Sequence, residues 1–235
     1  MDVVLPLLST VVSFTFAGVV LAQYLSRRKI YQAVWAFGLV SYGLGALAEL
    51  LVGIGVWNRA VYSLWYLFGA FFVAAYLGMG TVYLLAPRRI AHVVMGLLLA
   101  LSAVAVLLVL TAEIDLAQVS ASGHLSGRAM PNHVRLLTPI FNIFGTVALV
   151  GGAAYSAWVF WRRRLMPQRV LSNVLIAVGA LLPAIGSSLL RFDLPDLFYL
   201  FELLGVVVIF AGVALSHRLV DGAAGRAQKA YRPST

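Results

Sequence analysis

Two carboxylic acids lie inside apolar stretches of the sequence, where a membrane would surround them with hydrocarbon. Glu49 lies in "GALAELLVGIGVW" at residues 45–57, and Glu202 lies in "FYLFELLG" at residues 198–205. An ionisable side chain costs at least about 2.5 kcal/mol at the centre of a membrane helix, so it normally faces the protein interior and serves a function. We therefore expect these acids to bind a proton or a cationic or hydroxylated ligand.

Both acids are predicted to lie at one depth. Glu49 is about eight residues and Glu202 about six residues from the same end of the bundle, which places both near 10 Å below that surface. Other polar and aromatic residues fall at this level. We predict a polar cavity open to the outside, with these ligand-binding or proton-binding residues: Glu49, Glu202, Tyr62, Trp65, Tyr66, Asn142, Ser187 and Tyr199.

A purely structural role for the acids is the alternative. A protonated glutamic acid can form a hydrogen bond with a neighbouring tyrosine or serine, and an ionised one can pair with Arg59 or Arg191. Tyrosine and tryptophan near the end of a span also act simply as anchors at the membrane interface. The residue types alone leave both interpretations open.

The elements that position these residues are predicted to be membrane helices. The chain has 235 residues, of which 62% are hydrophobic and 11% charged, whereas a soluble domain carries about 25% charged residues. A helix needs about 20 apolar residues to cross the hydrocarbon. We predict an all-α membrane protein with seven transmembrane helices at residues 4–25, 32–56, 60–85, 90–112, 136–160, 170–190 and 196–217.

Orientation follows from the distribution of lysine and arginine, which are enriched in cytoplasmic loops. With the N-terminus outside, 13 of the 17 basic residues fall on the inner side. We therefore predict N-terminus outside, C-terminus inside, in a bacterial inner (plasma) membrane. The loop at 112–135 would then be outside, and a basic tail at 218–235 is predicted to be disordered in the cytoplasm.

An internal repeat is predicted from similar segments at a constant offset. "WYLFG" at 65–69 resembles "FYLFE" at 198–202 with an offset of 133, and "GALAE" at 45–49 resembles "GALLP" at 179–183 with an offset of 134. Residues 1–86 would then form a first three-helix repeat and 136–217 a second one, with 90–112 as a linker helix between them. Both halves would point the same way across the membrane, as parallel repeats do in some transporters.

Several kinds of chemistry are excluded or disfavoured. The chain has no cysteine, which excludes thiolate chemistry, and both lysines, Lys29 and Lys229, lie outside the spans, so no retinal Schiff base is expected. The four histidines lack metal-ligand spacing, so we expect no metal and no cofactor. The basic residues lie in short clusters between apolar runs, which argues against nucleic acid as a partner. We expect no enzymatic activity.

Residues 32–80 resemble the seven-span sensor region of some bacterial histidine kinases. That family often has tryptophan, glycine–tyrosine and glutamate–leucine in its second span, then tryptophan or tyrosine and a small residue in its third. The corresponding residues are Trp35, Tyr42–Gly43 in reverse order, Glu49–Leu50 and Trp65–Gly69. No kinase domain is present in this sequence, so the resemblance implies a separate signalling partner.

The three-plus-one-plus-three layout is also similar to that of seven-span sugar transporters, although their Pro-Gln signature is absent from the spans. Our leading expectation is a protein that binds a small solute of unknown identity in the cavity and translocates it. The alternative is a ligand-sensing or accessory subunit of a membrane complex, without transport. The expected partners are the lipid bilayer, the ligand, and a second copy or a larger membrane complex.

Overall fold

The part of the chain that the computed structural model describes is mostly helical. These residues are 3–117, 125–163, 167–189 and 194–230, without the side chains of 167–169, 189, 195 and 217–230. Within these ranges there is no strand, and seven helices are long and apolar enough to cross a membrane. The prediction of an all-helical, seven-span membrane fold is therefore confirmed at this level. The helices are α1 Val4–Arg27, α2 Ile30–Gly53, α3 Arg59–Leu85, α4 Arg88–Thr111, α5 Leu137–Arg162, α6 Pro167–Leu189 and α7 Pro195–Ala230.

The first helix ends fall where the sequence supplies a capping or helix-breaking residue. Arg28 ends α1 in the left-handed conformation with φ 52°, and Gly55, with φ 90°, turns the chain after α2. The side chain of Asn58 then caps α3 by accepting a hydrogen bond from the Val61 amide at 2.9 Å. Pro87 precedes α4, because proline tolerates the start of a helix but not its interior.

Two predicted segments differ in extent from the observed backbone. The last span was predicted to end at 217, whereas α7 continues to Ala230, so residues 218–230 of the predicted disordered tail have helical backbone. Residues 231–235 lie outside the described part of the chain. In the predicted outer loop, the described residues include a 3-10 turn at Gly127–Ala129 and a short helix at Asn132–Arg135.

Six of the seven helices form a closed ring. Each helix packs on the next in the order α1, α2, α3, α5, α6 and α7, and α7 packs back on α1. The seventh, α4, lies outside this ring against α3. A ring of this size has an interior in which side chains from non-adjacent helices can meet.

Close helix contacts at glycine hold neighbouring members of the ring together. A Cβ atom added to Gly45 of α2 would lie 2.8 Å from the Cα atom of Gly69 on α3. A Cβ atom added to Gly145 of α5 would lie 2.1 Å from the carbonyl carbon of Ala74 on α3. In hydrocarbon, where apolar burial drives little association, such small residues let helix backbones approach and gain dispersion contacts.

The middle of α3 is a π-helix rather than an α-helix. Residues Trp65–Phe72 form eight residues of π-helix between two α-helical segments, Arg59–Leu64 and Val73–Leu85. The wider turns place a cluster of aromatic rings on this segment, including Trp65, Phe71 and Phe72. π-Helical turns are rare and are frequently found at functional sites.

Candidate functional site

Glu49 on α2 and Glu202 on α7 lie near each other inside the ring, close enough for their carboxyl groups to interact electrostatically. Glu49 is only 2% exposed, and the Oε2 atom of Glu202 is also buried. Because α1 lies between α2 and α7 in the ring, the contact crosses the interior rather than a helix–helix seam. We predicted one depth for the two acids, and the structure brings their side chains together.

The hydrogen bonds of the pair require a proton or a cation. Trp65 Nε1 donates to Glu49 Oε1 at 2.9 Å, but no described protein group donates to the Oε2 atom of either acid. An ionised carboxylate only accepts hydrogen bonds. A hydrogen bond between the two carboxyl groups therefore forms only when one of them carries a proton. With both ionised, a cation must lie between them to offset their repulsion.

Tyr42 attaches α7 to α2 beside the carboxyl pair. Its hydroxyl donates to the main-chain oxygen of Glu202 at 2.7 Å, and the side chain is 3% exposed. Tyr42 precedes Glu49 by seven residues, which is two helical turns on the same face. Tyr42 was not among the residues predicted for the site, although this spacing places it on the same helix face as Glu49.

Two buried serines, Ser9 and Ser13, lie on one face of α1, and Ser9 is at the level of Glu202. Neither serine hydroxyl has a hydrogen-bond partner among the described residues. They share a face of α1 with Phe16, whose ring stacks on Phe210 of α7 at 4.7 Å. Ser9 precedes Phe16 by seven residues and Glu202 precedes Phe210 by eight, so the serine and the acid differ by only about 1.5 Å in height.

Two of the three tyrosines predicted for the site, Tyr62 and Tyr66, support Trp65 rather than the acids. The centroids of the Tyr62 and Tyr66 rings each lie 5.8 Å from that of Trp65. The Tyr62 hydroxyl donates to the Ser126 carbonyl at 2.8 Å, and the Tyr66 hydroxyl shares a 3.1 Å hydrogen bond with Thr138. These bonds attach α3 to the outer loop and to the start of α5, and the rings hold the indole of Trp65 in place.

Asn142 and Ser187 were predicted as ligand-binding residues, but both bond to nearby main-chain oxygens. Asn142 on α5 donates from Nδ2 to the carbonyl of Ala70 at 2.9 Å. Because Ala70 belongs to the π-helical segment, this bond stabilises that segment. Ser187 is exposed and donates to the Pro183 carbonyl at 2.8 Å, so it does not face the acids.

Three further residues were predicted for the site or as ion-pair partners of the acids. Tyr199 is buried on α7, one turn from Glu202, with its ring 5.3 Å from that of Phe198. Arg59 is exposed and donates to the main-chain oxygen of Leu110 on α4, so its guanidinium group is directed away from Glu49. Arg191 lies outside the described residues.

The carboxyl pair does not line either of the two best-formed hollows in the described part of the chain, and its two members differ in burial: Glu49 is buried, whereas Glu202 is partly exposed. One hollow, of about 10 Å³, lies under the outer loop next to Tyr62, and the other lies on the surface of α5. Neither of these two hollows is the outward-facing polar cavity predicted around the acids, which stays a prediction.

The fold and the site define the class of the molecule as an α-helical membrane bundle with a buried acidic pair. Comparison of the chain with protein-family models, with curated proteins and with solved structures gave no match. The function must therefore be inferred from the site itself.

Replacing Trp65 with phenylalanine tests the hydrogen bond to Glu49. The W65F variant keeps most of the ring packing but leaves Glu49 Oε1 without its donor, so we expect the free energy of unfolding to fall by about 1–2 kcal/mol. Titration with sodium dodecyl sulfate in mixed micelles measures this quantity. The matched control is W161F, because Trp161 is 69% exposed. Equal effects of the two variants would mean that the hydrogen bond contributes nothing to stability.

Proposed function

We propose that this chain is an integral membrane protein that binds a small cationic ligand, in the simplest case a proton, at Glu49 and Glu202. One observation supports this above all: the side chains of two glutamic acids from non-adjacent helices are neighbours in the bundle interior, and one oxygen of each is buried without a hydrogen-bond partner among the described residues. Carboxyl pairs in contact cannot both ionise without a large electrostatic penalty. Such a pair is therefore a binding site for one positive charge.

Occupancy of the pair would control the position of α7. When the proton or cation leaves, two negative charges face each other in a low-dielectric interior, where their repulsion is strong. The repulsion is relieved by moving the carboxyl groups apart, which separates α7 from α2. The bond from Tyr42 to the Glu202 main chain then stretches or breaks. Loss of one charge is thereby converted into displacement of a helix.

A sensing or accessory role fits this arrangement better than free passage of a solute. Glu49 is buried, and the proposed response of the pair is a helix movement that a signalling partner in the membrane could detect. The resemblance of residues 32–80 to sensor regions of histidine kinases supports the same interpretation. A ligand shifts a protein between two conformations whenever it binds them with different affinities. Such a response in the bilayer does not need a channel.

Solute translocation remains the second candidate because of the π-helix. Trp65, the donor to Glu49, is the first residue of that segment. A return of this segment to α-helical geometry would rotate the indole away from the acid and open a route along α3. Proton flux into proteoliposomes, followed with an enclosed pH-sensitive dye, would distinguish a carrier from a sensor.

We further propose the orientation and the membrane that the sequence indicated. The excess of basic residues supports N-terminus outside and C-terminus inside in a bacterial plasma membrane. The ring supports the proposed parallel repeat: rotation by half a turn exchanges α1, α2 and α3 with α5, α6 and α7 and preserves the order of the helices. The linker helix α4 lies outside the ring, as such a repeat requires.

The proposed partners are the bilayer, a small cation, and either a second copy of the chain or a larger membrane complex. Exposed leucine and valine side chains along α4, such as Leu97 and Leu107, give it an apolar outer face that suits lipid or another helix. We assign no catalytic reaction to the chain.

The proposed function predicts a pH response that depends on both acids. In nanodiscs, tryptophan fluorescence of the wild type should change between about pH 5 and 9, because Trp65 contacts the pair. E49Q and E202Q should abolish the change, since a glutamine amide donates a hydrogen bond at every pH. The matched control is E113Q, which alters an exposed carboxylate and should respond like the wild type. The W65F variant identifies the part of the signal that comes from Trp65.

A wild-type response in E202Q would exclude the pair as the binding site. A second experiment replaces choline chloride with sodium chloride at constant pH and compares the tryptophan fluorescence in the two salts. A fluorescence change on adding sodium, lost in E49Q, would identify the ligand as a sodium ion rather than a proton.

A further inference from the structure

The C-terminal end of α5 carries an exposed aromatic and basic surface, which we name the α5 terminal face. It consists of Tyr155, Trp158, Val159, Arg162 and Arg163, which surround a hollow of about 440 Å³. Tyr155 is 57% and Trp158 49% exposed. These residues play no part in the carboxyl pair, so any role of this face is independent of the proposed function.

The side chains of this face are held as one unit. Tyr155, Trp158, Val159 and Arg162 follow the spacing i, i+3, i+4 and i+7, which places them on one side of the helix. The guanidinium carbon of Arg162 lies 5.4 Å from the centre of the Trp158 ring, and the Trp158 ring lies 6.3 Å from that of Tyr155. The cation–π contact orients a positive charge at the edge of an aromatic surface.

The position of this face in a membrane limits what can bind it. α5 is one of the membrane-spanning helices, and its last turn carries Arg162, so this turn lies at the level of the lipid headgroups. Above the last turn, Val147 is 67% exposed and presents apolar surface along which acyl chains can lie. A ligand here therefore has a charged end and an apolar end.

We propose that the α5 terminal face binds an anionic phospholipid, with the headgroup phosphate on Arg162 and Arg163 and the glycerol and upper acyl chains on Tyr155 and Trp158. Arginine suits this role because its planar guanidinium group donates two parallel hydrogen bonds to a phosphate. The C-terminal end of a helix carries partial negative charge, so the backbone does not attract the phosphate. Binding must depend on the two guanidinium groups.

Titration of the detergent-purified, full-length protein with phosphatidylglycerol or phosphatidylcholine, followed by native mass spectrometry, tests this site. We expect tighter binding of phosphatidylglycerol. Each hydrogen bond to a charged phosphate contributes about tenfold or more to the affinity, so R162Q/R163Q should weaken the binding of phosphatidylglycerol by more than about tenfold. The matched control is R88Q/R89Q, which removes two exposed arginines at the start of α4. This variant should bind nearly as much phosphatidylglycerol as the wild type.

Three outcomes would overturn the proposal. Equal binding of the two lipids, or an unchanged preference in R162Q/R163Q, would leave the aromatic residues as interfacial anchors only. Displacement of phosphatidylglycerol by millimolar inorganic phosphate would show recognition of a free anion rather than a lipid. Because all the substituted arginines are exposed, the helical circular dichroism of both double variants should match the wild type.

Discussion

Alanine at position 49 is expected to lower the free energy of unfolding by about 2–4 kcal/mol. The substitution removes the acceptor of the Trp65 indole N–H, which then stays buried without a partner. It also leaves a gap in the packed interior and leaves Glu202 as a single buried acid. Unfolding in mixed micelles at mildly acidic pH, where the pair carries its proton, measures the loss.

Glutamine at the same position should cost less than about 1 kcal/mol. Its side-chain oxygen accepts from Trp65, and its amide group donates to Glu202, so the shape and hydrogen bonds of the protonated acid are kept. The expected order of stability is therefore wild type, then E49Q, then E49A. If E49A were as stable as E49Q, the contacts of Glu49 described here would have no energetic importance.

Alanine at position 145 is expected to disrupt the contact between α3 and α5. The new methyl group would lie 2.1 Å from the carbonyl carbon of Ala74 and 2.5 Å from the amide nitrogen of Ala75. Both are main-chain atoms, so a side-chain rotation cannot make room, and the helices must separate. Overpacking of this kind costs about 3 kcal/mol, which should appear as a lower midpoint of thermal unfolding.

The same helix provides the control for this substitution. Gly151 also lies on α5, but a methyl group there would meet nothing within 4 Å. The G151A variant should unfold at or slightly above the wild-type temperature, because alanine favours the helix over glycine. Similar stabilities of G145A and G151A would contradict the close crossing of α3 and α5.

Hydrophobicity alone located the helices because the thickness of the bilayer fixes the length of each apolar run. It failed at the end of α7, since hydropathy marks where the membrane ends and not where the helix ends. Residues 218–230 are polar but rich in alanine, a strong helix former, and the backbone continues as a helix to Ala230.

The depth of a residue along its membrane helix could also be predicted from the sequence, whereas the direction of its side chain around the helix axis could not. The rise per residue put Glu49 and Glu202 at one level, and they do meet. Ser187 was assigned to the same site by the same argument, but its side chain donates to the Pro183 carbonyl on its own helix. The face that each helix turns inward depends on packing against its neighbours, which a single sequence does not contain.

The π-helix was not predictable because it depends on tertiary contacts. Nothing in "WYLFGAFF" distinguishes a π-helix from an α-helix. The Asn142 side chain bonds to the Ala70 carbonyl, and Gly69 lies against Gly45, so partners distant in sequence stabilise the wide turns.

This segment also makes two distant interfaces depend on one another. Each residue of an α-helix is rotated by about 100° around the axis from the one before it. The wider turns of Trp65–Phe72 use a smaller rotation per residue, so they change the direction in which all later side chains of α3 point. Trp65 is thereby aimed at α2 while Gly78, thirteen positions later, is aimed at α5. Deletion of one residue within this segment would change the angle between Trp65 and Gly78 around the helix axis. Only one of the two contacts, with α2 or with α5, could then form. The same deletion in a connecting loop would leave both alignments intact.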